Sequence, residues 1–121
     1  KVISEIGSKC ESNSLEDSDW IEYMNKELQA GSWKVIAEAR EGGNVGMFDP
    51  NGNIKENLIK KITNKISASK ILWEAPQKKQ QVWFINNFGA NVNLGNISPN
   101  DIISLECLRI GLRGDTFDNY L

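Results

Sequence analysis

Three stretches of the same build set the limits on what this chain folds into. They are Val2-Ile3-Ser4-Glu5-Ile6-Gly7, Val35-Ile36-Ala37-Glu38-Ala39-Arg40 and Ile71-Leu72-Trp73-Glu74-Ala75-Pro76. Each is a short apolar run, mostly rich in Val and Ile, that reaches a glutamate and then gives way to loop residues and a helical pattern. A fourth run, Val92-Asn93-Leu94-Gly95-Asn96-Ile97, has asparagine in place of glutamate. Short runs of this kind read as strands. Their alternation with helical periodicity calls for a parallel sheet joined by right-handed crossovers.

The first unit is a strand over Lys1–Ile6, a polar loop through Lys9 and Glu11–Ser14, and a helix over Leu15–Ala30. Ser14 and Asp17 have the spacing of a capping box, Ile21, Met24 and Leu28 share a face, and Gly31 is a natural stop. The second unit is a strand over Trp33–Ala39, a long glycine-bearing loop from Glu41 to Gly52, and a helix over Ile54–Ile66 with Ile54, Leu58, Ile62 and Ile66 on one stripe. The third is a strand over Lys70–Glu74 and a helix over Lys78–Phe88 that packs Val82, Ile85 and Phe88. The fourth is a strand over Asn91–Leu94 and a helix over Pro99–Leu112, capped by Ser98, with Ile102, Leu105 and Leu108 apolar. The tail from Gly114 shows little pattern. Four βα units fit half of an eight-stranded barrel or a small doubly wound sheet, and spacing alone does not choose between them.

At 121 residues the chain is read as one domain spanning 1–121. It lacks an initiator Met and starts inside a strand pattern, which points to part of a longer protein. A net charge of −2 offers no electrostatic case for nucleic acid or an anionic membrane. No apolar run is long enough to span a bilayer, and the first residues show no signal-peptide pattern. Cys10 and Cys107 form no CxxC and read as reduced thiols of a cytoplasmic protein. There is no histidine, which excludes Ser-His and Cys-His pairs within this chain and the usual imidazole zinc sites. Carboxylates, Lys, Arg, Asn, Tyr and backbone remain, a set better matched to an oxygen-liganded cation such as Mg²⁺ than to a transition metal.

Side chains alternate faces along a strand. Glu5 therefore lies with Ile3, Glu38 with Ile36 and Arg40, Glu74 with Leu72, and Asn93 with Asn91. Val2, Val35, Ala37, Ile71 and Trp73 take the other face and suit packing against helices. If the polar face lines a barrel, Glu5, Glu38, Arg40, Glu74 and Asn93 meet at its C-terminal mouth, where such barrels carry their sites. Carboxylates brought together need a cation or a basic partner to stay ionised, and Mg²⁺, Arg40 or Lys9 would serve. The helix start after Asn96, with Ser98, is a candidate anion site. The plainer readings are a solvated Lys9, turn-holding Asn93 and Asn96, a simple cap at Ser98, and Arg109 and Arg113 solvated or paired with Glu106 and Asp115.

The motifs Ser4-Glu5-Ile6-Gly7-Ser8-Lys9, Glu38-Ala39-Arg40-Glu41-Gly42, Glu74-Ala75-Pro76-Gln77-Lys78, Asn91-Val92-Asn93-Leu94-Gly95-Asn96-Ile97 and Leu105-Glu106-Cys107-Leu108-Arg109-Ile110-Gly111-Leu112-Arg113-Gly114-Asp115-Thr116 follow one another along the chain. Together they resemble the phosphosulfolactate synthase family, nearly end to end and in the family's order. The resemblance implies a (β/α)8 TIM barrel of about twice this length, with this chain as its C-terminal four βα units. It implies Mg²⁺-dependent addition of sulfite to phosphoenolpyruvate to give (2R)-phospho-3-sulfolactate, a carbon–sulfur lyase reaction serving coenzyme M synthesis in archaea and sulfolactate production in bacteria. In that frame Lys9 is the catalytic acid. Glu38 and Glu74 hold the metal or its surroundings, and Arg40, Asn93, Asn96 and Ser98 receive substrate anions. Half a barrel leaves two open strand edges, so homo-oligomerisation or pairing with an N-terminal half is expected. The alternatives are a non-catalytic, stress-associated member of the same family and another barrel enzyme acting on a phosphorylated carboxylic acid.

Overall fold

The computed structural model describes residues 1–7 and 15–121. Strands β1 (Ile3–Ile6), β2 (Lys34–Ala37), β3 (Ile71–Glu74) and β4 (Leu94–Gly95) form one sheet in the order β1-β2-β3-β4, with every neighbouring pair parallel. Helices α1 (Asp17–Gln29), α2 (Glu56–Thr63) and α3 (Lys78–Phe88) connect them, and α4 (Ile102–Arg109) follows β4. The strand order contains no reversal, whereas a doubly wound sheet has one at its switch point. Four parallel strands in sequential order are the arc from which a (β/α)8 barrel is assembled.

The expected alternation of faces holds. Val35, Ala37, Ile71 and Trp73 are fully buried on one side of the sheet. They share a core with Trp20 and Met24 of α1, Leu58, Ile59 and Ile62 of α2, Phe84 and Ile85 of α3, and Leu105 and Leu108 of α4. Trp73 stacks on Phe84 with ring centroids 5.1 Å apart. On the other side Glu5, Ile36 and Leu72 stand abreast in register, exposed or half-buried. That open face would line the interior of a closed barrel.

Several boundaries and partners differ from the sequence reading. Ile54 precedes α2, because it bridges antiparallel to Phe48 and so belongs to the loop. Val2 is 65% exposed, since it lies ahead of β1 at the edge of the sheet. The last expected helix begins as a 3₁₀ turn over Pro99–Asp101, and the α-helix proper starts at Ile102. Ser98 makes no side-chain capping bond there, and Ile102 is 58% exposed. The expected Ser14 cap lies outside the described residues, while α1 carries a capping box between Glu16 and Asp19.

The tail is ordered by α5 (Gly114–Phe117), which Thr116 ties to α4 through a 2.6 Å bond to the Leu108 carbonyl. Arg109 is half-buried and forms no salt bridge with Glu106. It donates to the carbonyls of Ala90 and Val92 in the approach to β4. Burial pushes its guanidinium pKa down, with Glu106 opposing. Asp115 pairs with Lys78 at 3.0 Å. Among the described residues no helix is long and apolar enough to cross a membrane.

Candidate functional site

The C-terminal tips of the strands are tied to one another by groups just beyond the ladder. β2 continues past Ala37 as Glu38 N–H donates to the Ile6 carbonyl at 2.9 Å, keeping it beside β1. The Glu74 carboxylate then accepts from the Ala39 N–H at 2.7 Å, which joins the tip of β3 to that of β2. Ala39 is fully buried, so this donor has no easy recourse to water, and a carboxylate acceptor makes the bond charge-assisted. Asn96 Nδ2 donates to the Arg40 carbonyl at 2.7 Å and draws the segment after β4 across to the same place.

Arg40 and Asn96 both have left-handed backbone, with φ of 59° and 56°. Asparagine tolerates that region, while arginine is held there at a cost of about 1 kcal/mol or more. Two glycines make the close approaches. A Cβ on Gly7 would lie 2.5 Å from Glu38 Oε2, and one on Gly46 would lie 2.2 Å from the Glu38 carbonyl oxygen. Glu38 is thus enclosed between the end of β1 and the loop after β2. Beside it opens a shallow depression lined by Glu38, Arg40, Glu41, Gly42 and Asn44.

That loop is fixed from α3. Gln77 and Gln80 form a reciprocal capping box at the start of the helix, with Gln77 N–H donating to Gln80 Oε1 at 3.1 Å. Gln80 is fully buried and its Nε2 donates to the carbonyls of Gly43 (2.8 Å) and Gly52 (3.0 Å). Gln77 Nε2 donates to the Gly42 carbonyl at 2.7 Å, and Lys79 Nζ to that of Asn51 at 2.8 Å. Within the loop Asp49 accepts from the N–H groups of Asn51 and Asn53. The Asn53 backbone bond, followed by its side-chain bond, holds the Asp49 carboxyl below its ordinary pKa.

Of the residues singled out from sequence, Glu74 and Asn96 reach the backbone of the Glu38–Arg40 segment, Glu74 at the Ala39 N–H and Asn96 at the Arg40 carbonyl, while Glu38 and Arg40 line the depression. Asn93 does not join them: its amide donates to the carbonyls of Ser69 and Ile71, at the opposite end of β3. Ser98 is exposed at the 3₁₀ turn. Lys9 and Cys10 lie outside the described residues. Gln77 and Gln80 were not anticipated as site-building residues. The available sign was a pair of glutamines three apart at a helix start directly after a strand-tip glutamate.

Among the described residues no three of Asp, Glu and Cys gather as a metal cage. Glu38 and Glu74 stand at adjacent strand tips, one oxygen of Glu74 engaged by the Ala39 N–H, and carboxylate oxygens are the donor type that hard cations take.

The family model described as (2R)-phospho-3-sulfolactate synthase (ComA) matches residues 1–115. The chain belongs to the (2R)-phospho-3-sulfolactate synthase family. It is 47% identical over 118 residues to the phosphosulfolactate synthase of Methanothermobacter thermautotrophicus, covering 95% of this chain and 46% of that one. It is 44% identical over 119 residues to the phosphosulfolactate synthase of Bacillus subtilis, covering 96% and 47%. It is also 35% identical over 99 residues to protein HEAT-STRESS-ASSOCIATED 32 of Arabidopsis thaliana, covering 81% and 32%. The chain thus spans about half the length of the two phosphosulfolactate synthases. The strand-tip cluster of this family member is assembled from three successive βα connections.

Proposed function

We propose that the chain is the C-terminal half of a (β/α)8 barrel that acts as a phosphosulfolactate synthase, adding sulfite to phosphoenolpyruvate once the barrel is complete. The observation that supports this reading is the joining of the β2, β3 and β4 tips, through Glu74 to the Ala39 N–H and Asn96 to the Arg40 carbonyl. The similarity to proteins named phosphosulfolactate synthase supports the choice of reaction. In it, the sulfur of sulfite bonds to the methylene carbon, the double bond's electrons move toward C2 and the carboxylate, and a proton is delivered to C2. No group leaves, and bisulfite supplies both the sulfur and the net proton.

Mg²⁺, when bound, supplies positive charge for the carboxylate as negative charge builds there. Glu38 and Glu74 are the residues that would hold it, directly or through water. Arg40 offers its guanidinium to the phosphate or sulfonate, and the backbone from Asn96 to Ser98 offers further donors. Lys9 is the proposed acid. It is assigned that role through the family motif Ser4-Glu5-Ile6-Gly7-Ser8-Lys9, two residues after Gly7 in the sequence. A lysine ammonium can deliver a proton to C2 as that carbon becomes basic.

The test is formation of phosphosulfolactate from phosphoenolpyruvate and sulfite by the full-length protein with its barrel complete, followed by mass spectrometry, with and without Mg²⁺. Turnover that chelation abolishes and Mg²⁺ restores is expected. Absence of turnover at saturating substrate refutes the assignment and favours the non-catalytic alternative, and undiminished turnover by Lys9→Ala removes Lys9 from the acid role.

A further inference from the structure

We propose that Gln80, seated by Gln77, is a positioning residue that presets the loop after β2 as one wall of the strand-tip site. The proposal rests on the synthase reading above for the identity of the substrate. Three observations carry it. Gln80 is fully buried, yet its whole amide is committed: Nε2 to the carbonyls of Gly43 and Gly52, Oε1 to the Gln77 N–H. Two carbonyl acceptors on one side and an N–H donor on the other leave only one orientation of the amide consistent with the network.

The two carbonyls lie nine residues apart and bracket the loop, so one side chain closes it as a clasp would. The loop also offers no room for adjustment at those points. Gly43 and Gly52 have φ of 65° and 78°, and an added Cβ would lie 2.7 Å from Gln80 Oε1 and 2.6 Å from Gln77 Nε2 respectively. Gln77 adds a third tie at the Gly42 carbonyl. The clasped segment begins three residues after Arg40, and Arg40, Glu41 and Gly42 before it and Asn44 within it line the depression beside Glu38. Gln80 touches no reacting group, so it acts through the placement of these residues. A bound anion then meets a wall whose ordering has already taken place on folding, which lowers the entropy lost on binding.

The experiment compares the full-length protein, its barrel complete, with Gln80→Glu, which keeps the shape but loses the donors, and with the milder Gln77→Ala. Amide hydrogen exchange and steady-state kinetics with phosphoenolpyruvate and sulfite are read together. Gln80→Glu is expected to speed exchange across residues 41–53 by about ten-fold or more while α1 and α4 stay protected. Its KM for phosphoenolpyruvate is expected to rise roughly ten-fold with kcat within about two-fold. Gln77→Ala is expected to change exchange near Gly42 alone and to raise KM less. It serves as the deciding variant should Gln80→Glu fail to fold. Unchanged exchange in the loop, exchange that rises equally in α1 and α4, or an unchanged KM overturns the proposal. A full-length wild type without turnover refutes the synthase reading, and the exchange data then still decide whether Gln80 clasps the loop.

Discussion

Replacing Glu74 separates its structural duty from its proposed metal duty. The carboxylate accepts the N–H of a fully buried residue, Ala39, at 2.7 Å. Glu74→Gln keeps an oxygen acceptor in place and loses only the charge. The difference between a charge-assisted and a neutral hydrogen bond is about 1 kcal/mol. Glu74→Ala leaves the Ala39 N–H without a partner, and a buried donor so abandoned costs about 1–3 kcal/mol. For a chain of this size about 1 kcal/mol corresponds to roughly 3–6 °C in Tm.

Glu74→Gln should therefore melt a few degrees below wild type and Glu74→Ala lower again, as followed by circular dichroism at fixed concentration. Turnover should divide the variants differently. If the charge helps hold Mg²⁺, both variants lose most activity, and Glu74→Gln does so with little loss of stability. Equal Tm losses in the two variants would refute the role given to the acceptor oxygen. Full turnover by Glu74→Gln, with unaltered Mg²⁺ dependence, would remove Glu74 from the metal.

Three further outcomes are expected. Gly46→Ala places a Cβ 2.2 Å from the Glu38 carbonyl oxygen, on a backbone with φ of 67°, and should destabilise the chain by about 3 kcal/mol or more in a urea titration. Arg109→Met abandons the carbonyls of Ala90 and Val92, and should cost about 1–3 kcal/mol and loosen exchange in the approach to β4. Asp115 has its folded pKa lowered, first by the hydrogen bond from Lys78. Its contribution is thus present above the unfolded value of about 4 and lost as pH falls through the lower folded one, so Asp115→Asn should flatten the acid limb of Tm against pH.

Much of the scaffold was legible because it rests on local periodicity. The alternation of Val35 and Ala37 with Ile36 and Glu38 is enough to say which side of β2 is covered, and Ile71 and Trp73 repeat it. Glu38, Arg40 and Glu74 could be placed near one another because parallel strands in sequence order bring their ends into line. What escaped was set by contacts distant in the chain. Gln80 reads as an ordinary helix-surface amide until residues 43 and 52 fold back onto it. Asn93 was placed on the rim by counting alternate residues, yet its short side chain reaches back to the carbonyls of Ser69 and Ile71. Arg109 looked like a helix-end cation, but the loop before β4 presents it with two carbonyls, and those outcompete a solvated ion pair with Glu106.

The bond from Asn96 to the Arg40 carbonyl couples the loops after β2 and β4. Each sits in a left-handed turn that the other helps to hold. A substitution at position 96 alters the setting in which arginine is tolerated at position 40, so the effects of changing both will not add. Transplanting either loop from another sequence would break this match, whereas moving both together would preserve it. Engineering of the substrate rim is therefore best conducted on the two connections as one cassette.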